Sequence, residues 1–149
     1  MLGFTGFVRD WHGVDRVIRF IAASGRRDLH LLIIGDGPIC AELKALARAL
    51  GIAEQVEITG IVQRKEVPRH VALFDVALQP AVVEYASPLK LFEYMALGKA
   101  ILAPANANIR EVLNDGEDAL LFAPGDGAAF QKNLEALCAD ENLRARLGR

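Results

Sequence analysis

Short aliphatic and β-branched runs alternate with helix-patterned stretches along the whole chain, and this alternation most constrains the fold. Leu2 to Val8, Leu29 to Ile34, Val56 to Thr59, Val76 to Gln79, Ala100 to Ala103 and Ala119 to Phe122 read as strands. Between them, Val14 to Ala23, Ile39 to Leu50, Lys65 to Leu73, Ile109 to Leu113 and Ala128 to Ala139 read as helices, and Glu141 to Leu147 begins a last one. In the first helix Val14, Val17, Ile18 and Ile21 share one face at helical spacing. The alternation predicts βαβ units with right-handed crossovers. The expected fold is therefore α/β in three layers, a parallel sheet of about six strands covered by helices on both faces. In such sheets ligands bind beyond the carboxyl ends of the strands, so the loops that follow strands carry the functional interest.

One stretch stands out, Glu84 to Lys99, EYASPLKLFEYMALGK. Ser87 suits a helix N-cap, and Pro88 suits the first helical position because its missing N–H is not needed there. Leu89, Phe92, Met95 and Ala96 are expected to form the apolar face, and Gly98 to end the helix. Lys90 falls where a capping box places Glu or Gln, and a cation there opposes the helix dipole. An anion bound at the helix N-terminus would account for it. The stretch is thus expected to hold the phosphates of a nucleotide-linked substrate.

Other strand-end loops offer further candidates. Arg9-Asp10-Trp11-His12-Gly13 brings a guanidinium that forks onto phosphate and an imidazole that donates to one when protonated. Gly35-Asp36-Gly37-Pro38 is either a nucleotide approach point or a tight turn; Cys40 stands where a dinucleotide fingerprint has its third glycine. Glu93, one turn after Lys90, is either an ion-pair partner or an acceptor for sugar hydroxyls. Glu84 and Tyr85 are candidates for the sugar side. Asn106, Asn108 and Glu111 follow the next strand as loop or cap residues. Neither Ser24 nor Ser87 sits in a nucleophile elbow, and His12, His30 and His70 lack metal-site spacing.

Composition closes off other classes. With a net charge of −2 and scattered basic residues, nothing points to nucleic-acid binding. Cys40 and Cys138 are far apart in helix-like segments and read as reduced thiols. No apolar run is long enough for a transmembrane helix, and Arg9, Asp10 and His12 come too early for a signal peptide. Met1 runs straight into a strand, and the last helical pattern stops short, so the chain is expected to be part of a longer protein.

Taken together, SPLKLFEYMALGKAILAP, LLIIGDGP upstream and NIREVLNDGEDALLF downstream resemble the family-4 retaining glycosyltransferases. The resemblance covers essentially the whole chain and corresponds to the C-terminal, nucleotide-sugar-binding half of the GT-B fold, which has two Rossmann-like domains. It implies a donor that is a UDP-, GDP- or ADP-sugar, transfer of a hexose-type sugar with retention of configuration, and no metal or other cofactor. The acceptor, a glycan, lipid or small molecule, would be bound by an N-terminal domain absent from this chain. The chain alone would bind nucleotide without turnover. A cytoplasmic location follows, at the inner face of a membrane if the missing half touches one.

The resemblance also implies roles. Arg9, His12 and Lys90 would stabilise the departing diphosphate as the catalytic groups. Gly6, Gly37 and the backbone at Ser87, Pro88 and Leu89 would line the diphosphate, Ile61 and Val62 would read the base, and Glu93 would bind the ribose. Glu84 or Tyr85 would stand in for the family's first carboxylate, which faces the donor sugar: Tyr85 has its place by count, and Glu84 is one residue off. His12 likewise takes the place of a Lys, and Phe7 that of an Arg. A nucleotide-sugar epimerase domain and a non-catalytic α/β nucleotide-binding or regulatory module are the alternatives. A phosphoacceptor receiver is disfavoured because its clustered acids are missing.

Overall fold

The computed structural model describes residues 1–81 and 89–148. Its six strands are β1 (Leu2–Thr5), β2 (Leu31–Ile34), β3 (Val56–Ile58), β4 (Val76–Leu78), β5 (Ala100–Pro104) and β6 (Ala119–Phe122). They form one sheet in the order β3-β2-β1-β4-β5-β6, and every neighbouring pair is parallel. The helices are α1 (Asp15–Ser24), α2 (Cys40–Ala49), α3 (Val67–Val71), α4 (Leu89–Ala96), α5 (Ala107–Arg110), α6 (Gly127–Ala139) and α7 (Glu141–Leu147). The predicted α/β architecture is therefore the observed one.

Period-two alternation in buried strands sends neighbouring side chains to opposite faces. Leu31, Ile33, Val76, Leu78, Ala100 and Leu102 pack into one core with Val17, Ile18 and Ile21 of α1, Leu43 of α2 and Phe130 and Leu134 of α6. Leu32, Ile34, Ala77, Ile101 and Ala103 pack into the other, with Val71 of α3, Leu91 and Tyr94 of α4 and Ile109 of α5. Gly3 illustrates the close fit: a side chain there would run into the ring of Phe74, which fills the space itself.

Several expected boundaries move. The first strand stops at Thr5 rather than Val8, because Gly6 turns the backbone to φ 128°. The segment predicted as a helix from Lys65 is a 3-10 turn over Arg64–Glu66 followed by the shorter α3, with Pro68 in its first turn. The short helix after β5 is Ala107–Arg110, earlier than expected.

The largest correction concerns α4. Leu91 and Tyr94 are its buried side chains, both at 0% exposure, whereas Phe92 (52%) and Met95 (39%) of the predicted apolar face are exposed, as is Ala96. The helix carries apolar residues on more than one flank, and spacing alone does not say which flank meets the sheet. Phe74 decides it: its ring lies 6.1 Å from that of Tyr94 at 67°, an edge-to-face contact under the sheet. The helix ends as predicted, with Gly98 at φ 67° and the Lys99 N–H donating to the Tyr94 carbonyl at 3.0 Å. There α4 meets the end of α7: a side chain on Gly148 would strike the Gly98 carbonyl.

Candidate nucleotide-binding site

The strand order reverses between β1 and β4, which opens a crevice at their carboxyl ends. Two loops and one helix surround it. The loop after β1 begins with Gly6, whose N–H donates to the Ile34 carbonyl at 3.0 Å, while the Val8 N–H donates to the Asp36 carbonyl at 2.8 Å. Gly35 and Gly60 form a bridge beside them, so the ends of β1, β2 and β3 are stitched together. The 3-10 turn Asp10–His12 follows, closed by Gly13 at φ 71°, where a β-carbon would stand 3.3 Å from that of Ala81. That contact brings the first loop against the segment after β4.

Lys90 reaches into the crevice from the first turn of α4. Its Nζ lies 4.0 Å from the centre of the Phe4 ring, a cation–π contact, and a β-carbon on Gly6 would stand 3.3 Å from the same Nζ. A β-carbon there would make the ammonium give way by a few tenths of an ångström, and the backbone φ of 128° is one that favours glycine. Among the described residues no carboxylate lies within ion-pair distance of Lys90. Burial lowers its pKa to about 8, and Glu93 nearby opposes that shift.

His12 is buried against Phe4, with ring centroids 5.0 Å apart, and beneath Trp11 at 4.0 Å. Its Nδ1 accepts from the Arg9 N–H at 2.9 Å. That bond fixes the tautomer, leaving the proton on Nε2. Burial, then Lys90 and Arg9, lower its pKa to about 4. His12 is therefore a neutral donor at pH 7, not the protonated one the sequence suggested. Arg9 is exposed, with its guanidinium 4.8 Å from the centre of the Phe7 ring.

An open, largely apolar depression of about 270 Å3 adjoins the Gly6 loop and is lined by Phe7, Ile34, Gly35, Ile61, Val62 and Val67. Ile61 is 89% exposed, as an apolar side chain kept out of the core. A smaller pocket of about 160 Å3 holds Arg64, Pro68, Glu93 and Leu97 and shares Val67 with the first. The structure thus sets Lys90 beside Gly6, places Ile61 and Val62 in the depression that adjoins the Gly6 loop, and puts Glu93 in the neighbouring pocket beyond Val67. Gly37 lies in the turn after β2: its N–H donates to Asp36 Oδ1 at 2.8 Å, and a side chain on it would strike the Val8 backbone. Glu84, Tyr85, Ser87 and Pro88 lie outside the described residues. The backbone of Leu89 begins α4. A larger groove of about 360 Å3 between α1 and α6, lined by Arg16, Phe20 and Phe130, contains none of the predicted site residues.

Sequence reasoning missed Phe4, the platform beneath Lys90, and Val67, the wall between the two pockets. It also missed Tyr94, whose phenol accepts from the Thr5 N–H and donates to the Leu78 carbonyl, each at 3.2 Å. Its spacing four residues after Lys90, on the same helical flank, was the available signal.

A parallel sheet wound in both directions from its switch point, where Lys90 stands beside the Gly6 backbone, defines a doubly wound α/β domain. Residues 1–140 match the family described as Glycosyl transferases group 1, and the chain belongs to that family. It is 26% identical over 142 residues to the 2-deoxystreptamine glucosyltransferase of Streptomyces kanamyceticus, covering 94% of this chain and 36% of that protein. Its fold matches Anabaena HepE in complex with UDP, with a TM-score of 0.86, 18% identity, and coverage of 99% of this chain and 41% of that one. It also matches the C-terminal domain of a group 1 glycosyl transferase, LpcC, from Francisella tularensis, with a TM-score of 0.86, 20% identity, and coverage of 99% and 80%. The chain spans little more than a third of the first curated relatives it matches.

Proposed function

We propose that this chain is the sugar-donor-binding, C-terminal half of a GT-B glycosyltransferase that transfers a hexose-type sugar from a nucleoside diphosphate with retention of configuration. A second, N-terminal domain supplies the acceptor site. The observation that carries the reading is Lys90: a partly buried ammonium with no acid partner among the described residues, beside a glycine backbone at the switch point. A buried cation is costly unless an anion lies beside it.

On this reading the diphosphate lies between the Gly6 loop and the first turn of α4, with Lys90 and Arg9 as its cations and His12 Nε2–H as a neutral donor. The base occupies the apolar depression at Ile61 and Val62, and Glu93 accepts from the ribose hydroxyls. When the glycosidic bond breaks, its electron pair goes to the departing diphosphate. Lys90, Arg9, His12 and the N–H groups in the first turn of α4 stabilise that charge, which is where preorganised electrostatics lowers the barrier and where these cations would do the work of a metal. Glu84 or Tyr85 would face the sugar.

Isothermal calorimetry of the folded chain with UDP, GDP and ADP tests the reading. Binding of at least one is expected, and Lys90→Ala should weaken the diphosphate more than the matching nucleoside. A folded sample that binds none of the three overturns it.

A further inference from the structure

The ladder between β1 and β4 pairs only Leu2 with Val76 and Gly3 with Ala77. Two residues further in the same register, the Thr5 N–H would face the Leu78 carbonyl and make the next parallel-sheet bond. The Tyr94 hydroxyl occupies that place. It accepts from the Thr5 N–H at 3.2 Å and donates to the Leu78 carbonyl at 3.2 Å, so the side chain of a helix is spliced into the sheet. The ring is fully buried, and burial pushes the phenol pKa far up, so the hydroxyl keeps its proton.

Both strands held apart in this way carry walls of the crevice. Gly6 follows Thr5 directly, and β4 leads to Ala81, which meets Gly13. Tyr94 also lies one helical turn after Lys90, so the same side chain fixes the helix to the sheet edge that Lys90 faces. We propose that Tyr94 is a positioning residue for the diphosphate site: its hydroxyl, inserted between Thr5 and Leu78, sets the width of the switch-point crevice and hence the distance from the Gly6 backbone to Lys90. The inference rests on the donor-site reading above and adds a residue that does not touch the nucleotide.

Removing only the oxygen isolates this role. Tyr94→Phe keeps the ring packed on Phe74 but leaves the Thr5 N–H and Leu78 carbonyl facing each other. The strands are then free to close toward the ordinary spacing of about 4.8 Å, which displaces the Gly6 loop relative to Lys90. Phe74→Leu is the control: it loosens the same packing and leaves the hydroxyl in place.

The test uses the chain as wild type, Tyr94→Phe and Phe74→Leu, each verified as folded by circular dichroism. Calorimetry with inorganic pyrophosphate, with UDP, GDP and ADP, and with the three nucleosides gives the affinities. Carbon-13 NMR of lysine-labelled protein follows the Lys90 titration. In Tyr94→Phe, pyrophosphate and the diphosphate that binds are expected to lose about tenfold in affinity, with nucleosides changed less than twofold and the Lys90 titration moved from its wild-type value. Phe74→Leu should lower the melting temperature without those changes. Equal losses for diphosphate and nucleoside, or the same affinity changes in both variants, overturn the inference. If the folded wild type binds no pyrophosphate or nucleotide, the donor-site reading fails. The Lys90 titration then decides the matter alone, and an unchanged titration in Tyr94→Phe overturns the positioning role.

Discussion

The Nδ1 of His12 reaches back three residues to the Arg9 N–H at 2.9 Å, so a side chain closes the turn that carries it. The bond requires a neutral ring. The unfolded chain has an ordinary histidine pKa of about 6.5 and the folded one about 4. Between those values the unfolded state binds more protons, so stability falls as pH is lowered from 6.5 through 4. The expected loss is of the order of 3 kcal/mol. Thermal melts of wild type and His12→Gln across this window check it: the wild-type curve should fall more steeply than that of the variant.

Lys90 titrates in the same sense, in a higher pH window. Its folded pKa of about 8 lies below the unfolded value of 10.5, so the unfolded state binds more protons between them and stability rises as pH increases through that range. Lys90→Met removes the buried charge and is expected to stabilise the chain at pH 7 by about 1–2 kcal/mol while abolishing pyrophosphate binding. Melting curves at pH 7 and 10 with calorimetry measure both, and the gain should vanish at the higher pH.

Gly37 is expected to behave as a packing position. Gly37→Ala forces a β-carbon into the Val8 backbone, which has no side chain to move aside. The expected cost is about 3 kcal/mol. Chemical denaturation reads it, and nucleotide affinity of the remaining folded protein should stay near wild type.

The two flanks of α4 should respond very differently to substitution. Leu91→Ala empties a fully buried site and should cost about 2–5 kcal/mol. Met95→Lys on the exposed flank should change stability by about 0.5 kcal/mol or less. Urea denaturation of both variants checks the assignment of the buried face.

The sheet was legible because its central strands are buried on both faces, and a run such as Leu31–Ile34 has few other ways to fold. Lys90 was legible because it breaks a local rule at a helix start, and the structure sets it at the switch point without an acid partner among the described residues. The buried face of α4 was not legible, since Leu91, Phe92, Tyr94 and Met95 are all apolar or aromatic and the residues that take up Leu91 and Tyr94, such as Leu32 and Phe74, come from other elements of the fold. The state of His12 was hidden for a similar reason: its charge depends on Phe4, Lys90 and the Arg9 backbone, and Lys90 arrives from another part of the chain.

The meeting of Gly98 with Gly148 gives α4 a thrust bearing. Its far end is seated against the last turn of α7, backbone on backbone, with no side chain between them to act as a cushion. Movement of α4 toward α7 therefore meets main chain at once, and that seat lasts only while both positions stay without a side chain.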